Sequence, residues 1–226
     1  MYFLIDTKVK VIFGWSAKCG CSHIKKIYWY LQNSIIDNEI HSKKEWNTLP
    51  NDIENYTTIL IIRNPYEKII SGFLDKYKKE GQFRHLWKHD TLTFSTFVDK
   101  LIKNDWKIID KHHFIPQTND AFDIRVKNSK ELIIYDIKNI NYNYIEDLFQ
   151  KKIPENLINF KGQHVRKADI LLEKYIYDMD MSEYFDYKVP TKYFYNKEIK
   201  NKVYHFYMND FIFFKESGFD YTIENE

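Results

Sequence analysis

The stretch VKVIFGWSAKCGCSHIKKIYWYLQ, residues 9–32, decides the fold because its hydrophobic pattern changes along its length. Residues 9–15 form a short apolar run of the kind that predicts a buried strand. The small residues of 16–22 predict a loop. Apolar residues then recur at helical spacing at Ile24, Ile27, Tyr28 and Leu31. The stretch therefore predicts a strand–loop–helix unit.

The same pattern recurs in TTILIIRNPYEKIISGFLDKY, residues 57–77. A β-branched run at 57–62 predicts a second strand, and Pro65 suits the first turn of the helix that follows. A third strand is predicted at 131–135, ELIIY. Because successive strand–helix units build parallel sheets, we predict an α/β fold of three layers, α/β/α, with a central parallel sheet and covering helices.

The rest of the chain is predicted more coarsely. Thr93 is expected to cap a helix beginning near residue 94, with Leu92 packing onto Phe97. Residues 143–150 are expected to form a short helix, and 80–92 an exposed loop. The tail from Asn196 to about Lys215 is expected to form one long helix that Gly218 stops. We expect a single domain spanning residues 1–226.

Composition excludes several classes of function. The 226 residues are 44% hydrophobic and 29% charged, with a net charge of +2, which is a globular balance that favours no nucleic-acid partner. The aromatic residues, 18 Tyr and 17 Phe, are not interleaved with a basic groove. The N-terminal apolar run is too short for a signal peptide, and no run approaches the ~20 residues of a membrane span. We expect a soluble, intracellular protein, either cellular or viral in a host cell. Oligomeric state stays open.

The two cysteines, Cys19 and Cys21, stand two residues apart, which is too close for an ordinary disulfide. Together with His23 they resemble part of a zinc motif. A tetrahedral zinc site needs four ligands, and the sequence has no second cysteine pair. We therefore expect no metal.

The first loop has the features of an anion cradle. A loop between a strand and a helix presents backbone N–H groups at the positive end of the helix dipole. Gly20 permits close approach of a ligand, Ser22 adds a hydroxyl, and Lys18 adds a mobile cation. The triphosphate-binding pattern G-x-x-x-x-G-K-(S/T) is absent, because here the lysine precedes the glycine. The alternative is an ordinary βα turn with Lys18 in solvent.

The second loop places Arg63 at a strand end and Ser71 eight residues later. On a helix starting at Pro65, Ser71 lies about 10 Å along the axis, which an arginine side chain can bridge. The two side chains can then hold one phosphate, for which a guanidinium is well suited. The alternative is an arginine that pairs with a nearby carboxylate such as Glu67.

Taken together, the loops resemble those of Golgi-type carbohydrate sulfotransferases, of the chondroitin 4-O-sulfotransferase kind. AKCGCS at 17–22 resembles their 5′-phosphosulfate loop, P-K-x-(G/A)-C-T, and IRNPYEKIIS at 62–71 resembles their 3′-phosphate motif, R-(D/N)-P-x-x-R-x-x-S. DKHHFIPQ at 110–117 is similar to D-x-H-W-x-P-Q, and IIYD at 133–136 to a Tyr-Asp after a strand. The chain departs from the family at Ala17 (usually Pro), Lys68 (commonly Arg) and His113 (usually Trp).

The resemblance implies a P-loop-like fold and a 3′-phosphoadenosine 5′-phosphosulfate (PAPS) donor, with no metal. It places the donor's 5′ side on Lys18 and on the loop residues Cys19, Gly20, Cys21, Ser22 and His23, and the 3′-phosphate on Arg63 and Ser71. It implies sulfuryl transfer to a hydroxyl, expected on a glycan, with His112 as general base and Lys18 stabilising the leaving phosphate.

Further residues are assigned to the acceptor side by the same resemblance. These are Asp110, His113 and Gln117, with His113 also the adjacent competitor for the role of base. His164, Arg166 and Lys167 are candidates for contact with the nucleotide or the acceptor. Two other functions remain open from the sequence, namely a P-loop nucleotide phosphotransferase and a non-catalytic module that binds a nucleotide or a glycan.

Overall fold

A computed structural model describes residues 1–36, 48–87, 91–118, 125–160 and 168–223. Its strands are β1 (Tyr2–Asp6), β2 (Val11–Trp15), β3 (Thr57–Ile62), β4 (Glu131–Asp136), β5 (Ile170–Leu171) and β6 (Tyr187–Lys188). Its α-helices are α1 (Cys21–Asn33), α2 (Pro65–Lys76), α3 (Phe94–Ile102), α4 (Lys111–Phe114), α5 (Tyr142–Phe149), α6 (Glu155–Ile158), α7 (Met181–Tyr184), α8 (Lys197–Phe206) and α9 (Met208–Glu216). Short 3₁₀ helices occupy Ile53–Asn55, Arg84–Leu86 and Thr191–Phe194.

The chain forms two compact units. The first comprises residues 1–63 and 117–165, and the second comprises 64–116 and 166–226. Each unit has its own hydrophobic core. The expectation of one domain over residues 1–226 stays a prediction.

The first unit is built on a four-stranded sheet in the order β1-β2-β3-β4. β2, β3 and β4 are parallel, with Phe13 opposite Ile59 and Ile59 opposite Ile133. On one face, alternate residues of β2 and β3 pack with apolar residues of α1, α5 and α6. The predicted α/β fold, with a parallel sheet flanked by helices, is confirmed.

The N-terminal strand differs from the sequence prediction. β1 pairs antiparallel with β2, and no strand was predicted there. The predicted strand at 9–15 begins instead at Val11, because residues 8–10 form the hairpin turn. Asp6 Oδ1 accepts from the amides of Lys8 and Val9, and Lys10 has a left-handed φ of 59°. The turn therefore takes residues that the apolar pattern had assigned to the strand.

The second unit has an aromatic-rich helical core formed mainly by α2, α3, α8 and α9. Thr93 caps α3 as predicted, since its side chain accepts from the amide of Thr96. The single long helix predicted for 196–215 is wrong, because the helix breaks at Tyr207, where φ is −104° and ψ is 23°. The Tyr207 side chain is fully buried, and its hydroxyl donates to the carbonyl of Phe114. Tertiary packing thus overrides the helical periodicity of this segment.

Among the described helices, none has the length and apolar character that spanning a membrane requires.

Candidate functional site

The loop that follows β2 has an unusual backbone. Lys18 and Gly20 both have left-handed conformations, with φ of 66° and 72°. The amide of Cys19 donates to the carbonyl of Ser16, which closes the turn. A β-carbon on Gly20 would lie 2.8 Å from Cδ1 of Ile137, which directly follows β4. The position therefore requires glycine for two reasons, its conformation and its contact.

The start of α1 is arranged for an anion. Gly20 is the N-cap and provides no side chain to the first-turn amides, which belong to Cys21, Ser22 and His23. These residues are half-buried, so the first turn is accessible. The dipole of the thirteen-residue helix adds positive potential at this end, and alternating backbone conformations form concave anion sites. The loop therefore fits a phosphate or sulfate group.

Arg63 joins the second turn to the first. It directly follows β3, and its Nη1 donates to the carbonyl of Lys18 at 3.0 Å. Arg63 as a whole is half-buried. Because the parallel strands β2 and β3 end at the same edge of the sheet, their following turns lie side by side. Arg63 of the second motif and Lys18 of the first thus meet within the first unit, whereas Ser71 belongs to the second unit.

Gln117 forms hydrogen bonds with both of these turns. It is fully buried, and its Oε1 accepts from the Arg63 amide at 3.1 Å and from the Cys19 thiol at 3.0 Å. Its Nε2 donates to the Arg63 carbonyl at 2.8 Å. These contacts connect the turns that follow β2 and β3, and the assignment of Gln117 to the acceptor stays a prediction. Its place after Pro116 in a motif gave no signal of these contacts.

His23 packs into the first unit. Its Nε2 lies 2.9 Å from the Tyr142 hydroxyl, and its ring stacks against Phe160. Burial lowers the pKa of His23, and a hydrogen bond with the Phe160 backbone offsets this in part. A neutral ring at this place contributes packing, so its amide is the group available to an anion.

The histidine segment lies in the second unit. Asp110 is the N-cap of α4, and its Oδ2 accepts from the His113 amide at 3.1 Å and contacts Nδ1 of the same ring. Burial raises the pKa of Asp110, but the hydrogen bonds to His113 outweigh it and hold that pKa below its ordinary value. His112, by contrast, is exposed, with its ring edge-on to that of His113 at 4.9 Å. Asp110 therefore orients His113.

The remaining predicted residues are placed as follows. Ser71 lies half-buried on α2, and its pairing with Arg63 stays a prediction. His164, Arg166 and Lys167 lie outside the described residues. Within the parts of the chain that the structure describes, no group of three or more His, Cys, Asp or Glu side chains is placed to hold a metal.

Comparison with known proteins identifies the family. A family model described as "Sulfotransferase family" matches residues 1–217. Carbohydrate sulfotransferase 10 of Danio rerio is 30% identical over 105 residues, which cover 39% of this chain and 28% of that relative. The chain thus matches less than a third of the relative's length, and no solved structure matches. These findings confirm the resemblance carried by the motifs: the chain belongs to the sulfotransferase family.

Proposed function

We propose that this sulfotransferase moves a sulfuryl group from PAPS to a hydroxyl group of a glycan. The observation that carries the proposal is the bond from Arg63 to the Lys18 carbonyl, which brings together the two motif turns on one sheet edge. Adjacent turns whose residues suit anions fit a donor with phosphates at both its 5′ and 3′ positions. A turn with only a structural role would not require anion-binding features in the neighbouring turn as well.

The donor is assigned to residues that fit phosphates. The first-turn amides of Cys21 to His23 and the Ser22 hydroxyl are proposed to hold the 5′ side, and Arg63 with Ser71 the 3′-phosphate. Bound, PAPS supplies the sulfuryl group and a phosphate leaving group. The ammonium of Lys18 neutralises the negative charge that develops on the leaving oxygen.

The base is assigned to the second unit, and the contacts favour His113 over His112. Asp110 faces Nδ1 of His113, which leaves Nε2 to accept the proton of the acceptor hydroxyl. The motif spacing fits either histidine, because DKHHFIPQ is one residue longer than D-x-H-W-x-P-Q, and alignment at Asp110 places His112 on the histidine of that pattern. If Pro116 and Gln117 are aligned with the end of that pattern, His113 falls on its histidine and Phe114 on its aromatic residue. His112 remains the alternative base.

The balance of the proposed step is simple. The acceptor oxygen forms a bond to sulfur while the bond from sulfur to the leaving phosphate oxygen breaks. The proton of the hydroxyl passes to the imidazole, and the leaving phosphate keeps the electron pair. The glycan acceptor is supported by the relative, whose name describes a carbohydrate sulfotransferase.

Two measurements on the same protein test the proposal. Adenosine 3′,5′-bisphosphate should raise the melting temperature, with a stabilisation of about 2.7 kcal/mol at one hundred times its Kd, whereas ATP with Mg²⁺ should have little effect. Radiolabelled sulfate should pass from PAPS to members of a panel of neutral and acidic oligosaccharides. Lys18→Ala should abolish that transfer, and Lys8→Ala, which alters an exposed hairpin lysine, should not.

The other functions predict different results. A non-catalytic module would be stabilised by the bisphosphate and transfer nothing to any acceptor of the panel. A nucleotide phosphotransferase would be stabilised by ATP with Mg²⁺ and turn it over. Either pattern would refute the proposal.

A further inference from the structure

Lys68 is a buried cation in the helix that carries the 3′-phosphate motif. Its residue is 1% exposed. Its Nζ donates to the carbonyl of Ile115 at 2.8 Å and to that of His113 at 3.3 Å. The ammonium also lies 5.2 Å from the centre of the Tyr207 ring. These contacts direct the charge toward the backbone of the histidine segment.

Tyr207 contacts the carbonyl that lies between those of His113 and Ile115. Its hydroxyl donates to the carbonyl of Phe114 at 2.6 Å, and its side chain is fully buried. Three consecutive carbonyls, those of residues 113–115, therefore each receive a side-chain donor. A helix as short as α4 cannot satisfy these carbonyls internally, because the last turn of any helix leaves its acceptors without intrahelical partners.

The ring of Phe114 anchors the same segment in the hydrophobic core of the second unit. Gly72 of α2 approaches it so closely that a β-carbon on Gly72 would lie 2.6 Å from the ring. Phe114 is itself fully buried. One turn of α2, from Lys68 to Gly72, thus contacts both the backbone and the anchoring side chain of the histidine segment.

We propose that Lys68 is a positioning residue that, with Tyr207, sets the backbone from which His113 acts as base. The inference rests on the proposed function. Asp110 fixes the ring of His113, and Lys68 fixes the main chain that carries the ring. The positive charge where the family pattern commonly has arginine is thereby assigned to the base segment and not to a donor phosphate.

The consequence for catalysis follows from geometry. A general base must lie within hydrogen-bonding reach of the proton that it removes. A displacement of about 1 Å can lower the rate by about 100-fold even when the altered residue is remote from the chemistry. Loosening the carbonyls of 113–115 should therefore lower kcat and leave the KM for PAPS unchanged.

The test compares Lys68→Met, Lys68→Arg and Tyr207→Phe with a control, Lys100→Met. Lys100 lies in the same unit in a partly exposed ion pair with Asp105. We expect Lys68→Met to lower kcat by about 10- to 100-fold with an unchanged KM for PAPS. Amide exchange at residues 113–115 should become faster. Lys68→Arg should keep both closer to wild type than Lys68→Met does, because it retains a cationic hydrogen-bond donor, and Lys100→Met should change neither.

Contrary results are equally defined. An unchanged kcat in folded Lys68→Met, or a raised KM for PAPS with an unchanged kcat, would overturn the proposal. If Lys68→Met does not fold, Tyr207→Phe decides, since it removes one hydroxyl and keeps the ring. A lowered kcat in that variant supports positioning, and an unchanged kcat refutes it.

Failure of the proposed function would be recognisable separately. Wild-type protein would then transfer no sulfate to the oligosaccharide panel. Amide exchange would still report on the backbone contacts. Faster exchange in Lys68→Met but not in Lys68→Arg would support the role of Lys68 in holding the backbone of residues 113–115, and unchanged exchange would refute it.

Discussion

Nη1 of Arg63 donates to the main-chain carbonyl of Lys18 at 3.0 Å. The acceptor belongs to a non-glycine residue with a left-handed φ of 66°, a conformation that costs of the order of 1–3 kcal/mol and persists where neighbouring structure enforces it. Arg63 supplies part of that enforcement. The side chain that contacts the first turn is therefore also the cation proposed to hold the 3′-phosphate.

Arg63→Lys should weaken binding of adenosine 3′,5′-bisphosphate while the protein stays folded. A lysine keeps the charge but lacks the planar set of donors. The loss of a hydrogen bond to a charged group, about 1.5–3 kcal/mol, corresponds to roughly 10- to 100-fold in Kd. Isothermal titration calorimetry measures this change.

The matched control is Arg125→Lys. Arg125 lies in the same unit, and its Nη2 also donates to main-chain carbonyls, those of Leu49 at 3.0 Å and Pro50 at 2.9 Å. Its replacement should leave the affinity for the bisphosphate unchanged. Equal affinities for wild type and Arg63→Lys would contradict the assignment of Arg63 to the donor.

Gly20→Ala should destabilise the protein more than Gly218→Ala. Both glycines have positive φ, 72° and 89°, so each substitution carries a conformational cost of about 1–2 kcal/mol. A β-carbon at Gly20 would also lie 2.8 Å from Ile137, whereas a β-carbon at Gly218 would have no heavy atom within 4 Å. Overpacking adds about 1–3 kcal/mol. Urea denaturation measures the difference, and equal midpoints would refute the steric argument.

Replacement of the two adjacent histidines should have unequal effects. His113→Ala should lower kcat by about 10²- to 10⁴-fold, the usual contribution of a general base. His112→Ala should retain most of the activity, because its ring is exposed, whereas Asp110 contacts the ring of His113. Both variants should bind adenosine 3′,5′-bisphosphate like wild type. The reverse order of activities would return the role of base to His112.

His23 should make stability depend on pH. Burial lowers the pKa of His23 below its ordinary value of 6.5, so the folded state resists protonation while the unfolded state accepts it. The contribution of His23 is therefore fully present above pH 6.5 and is lost as the pH falls below it, by at most about 1.4 kcal/mol per pH unit.

Urea midpoints at pH 5.5 and 7.5 for wild type and His23→Gln would measure this contribution. Glutamine does not titrate, so the variant should lose less stability than wild type between the two pH values. An identical loss in both proteins would show that the ring is not kept neutral by folding.

Local pattern was informative wherever one segment carried its own signal. The runs at 57–62 and 131–135 predicted strands that the structure contains, and the proline at 65 marked the first residue of α2. The strand–loop–helix of residues 9–32 was predicted because its hydrophobic period changes from that of a strand to that of a helix. β1 was missed because its pairing partner, β2, follows across a turn that apolar periodicity does not reveal.

The break at Tyr207 shows where local pattern fails. Helices α8 (Lys197–Phe206) and α9 (Met208–Glu216) lie on either side of the break. At the break, the buried Tyr207 hydroxyl donates to the carbonyl of Phe114, more than 90 residues earlier in the chain. No window of sequence around Tyr207 contains that partner.

The amino-acid sequence by itself determined the strand–loop–helix units, the residue types at each anion-binding turn and the family to which they belong. The tertiary structure decided which groups meet. Gln117 hydrogen-bonds to Arg63, Asp110 contacts the His113 ring, and Lys68 donates to the Ile115 carbonyl. The physical reason is that propensity and periodicity act between near neighbours in the chain. A buried polar group, in contrast, must find its hydrogen-bond partner wherever the fold places one.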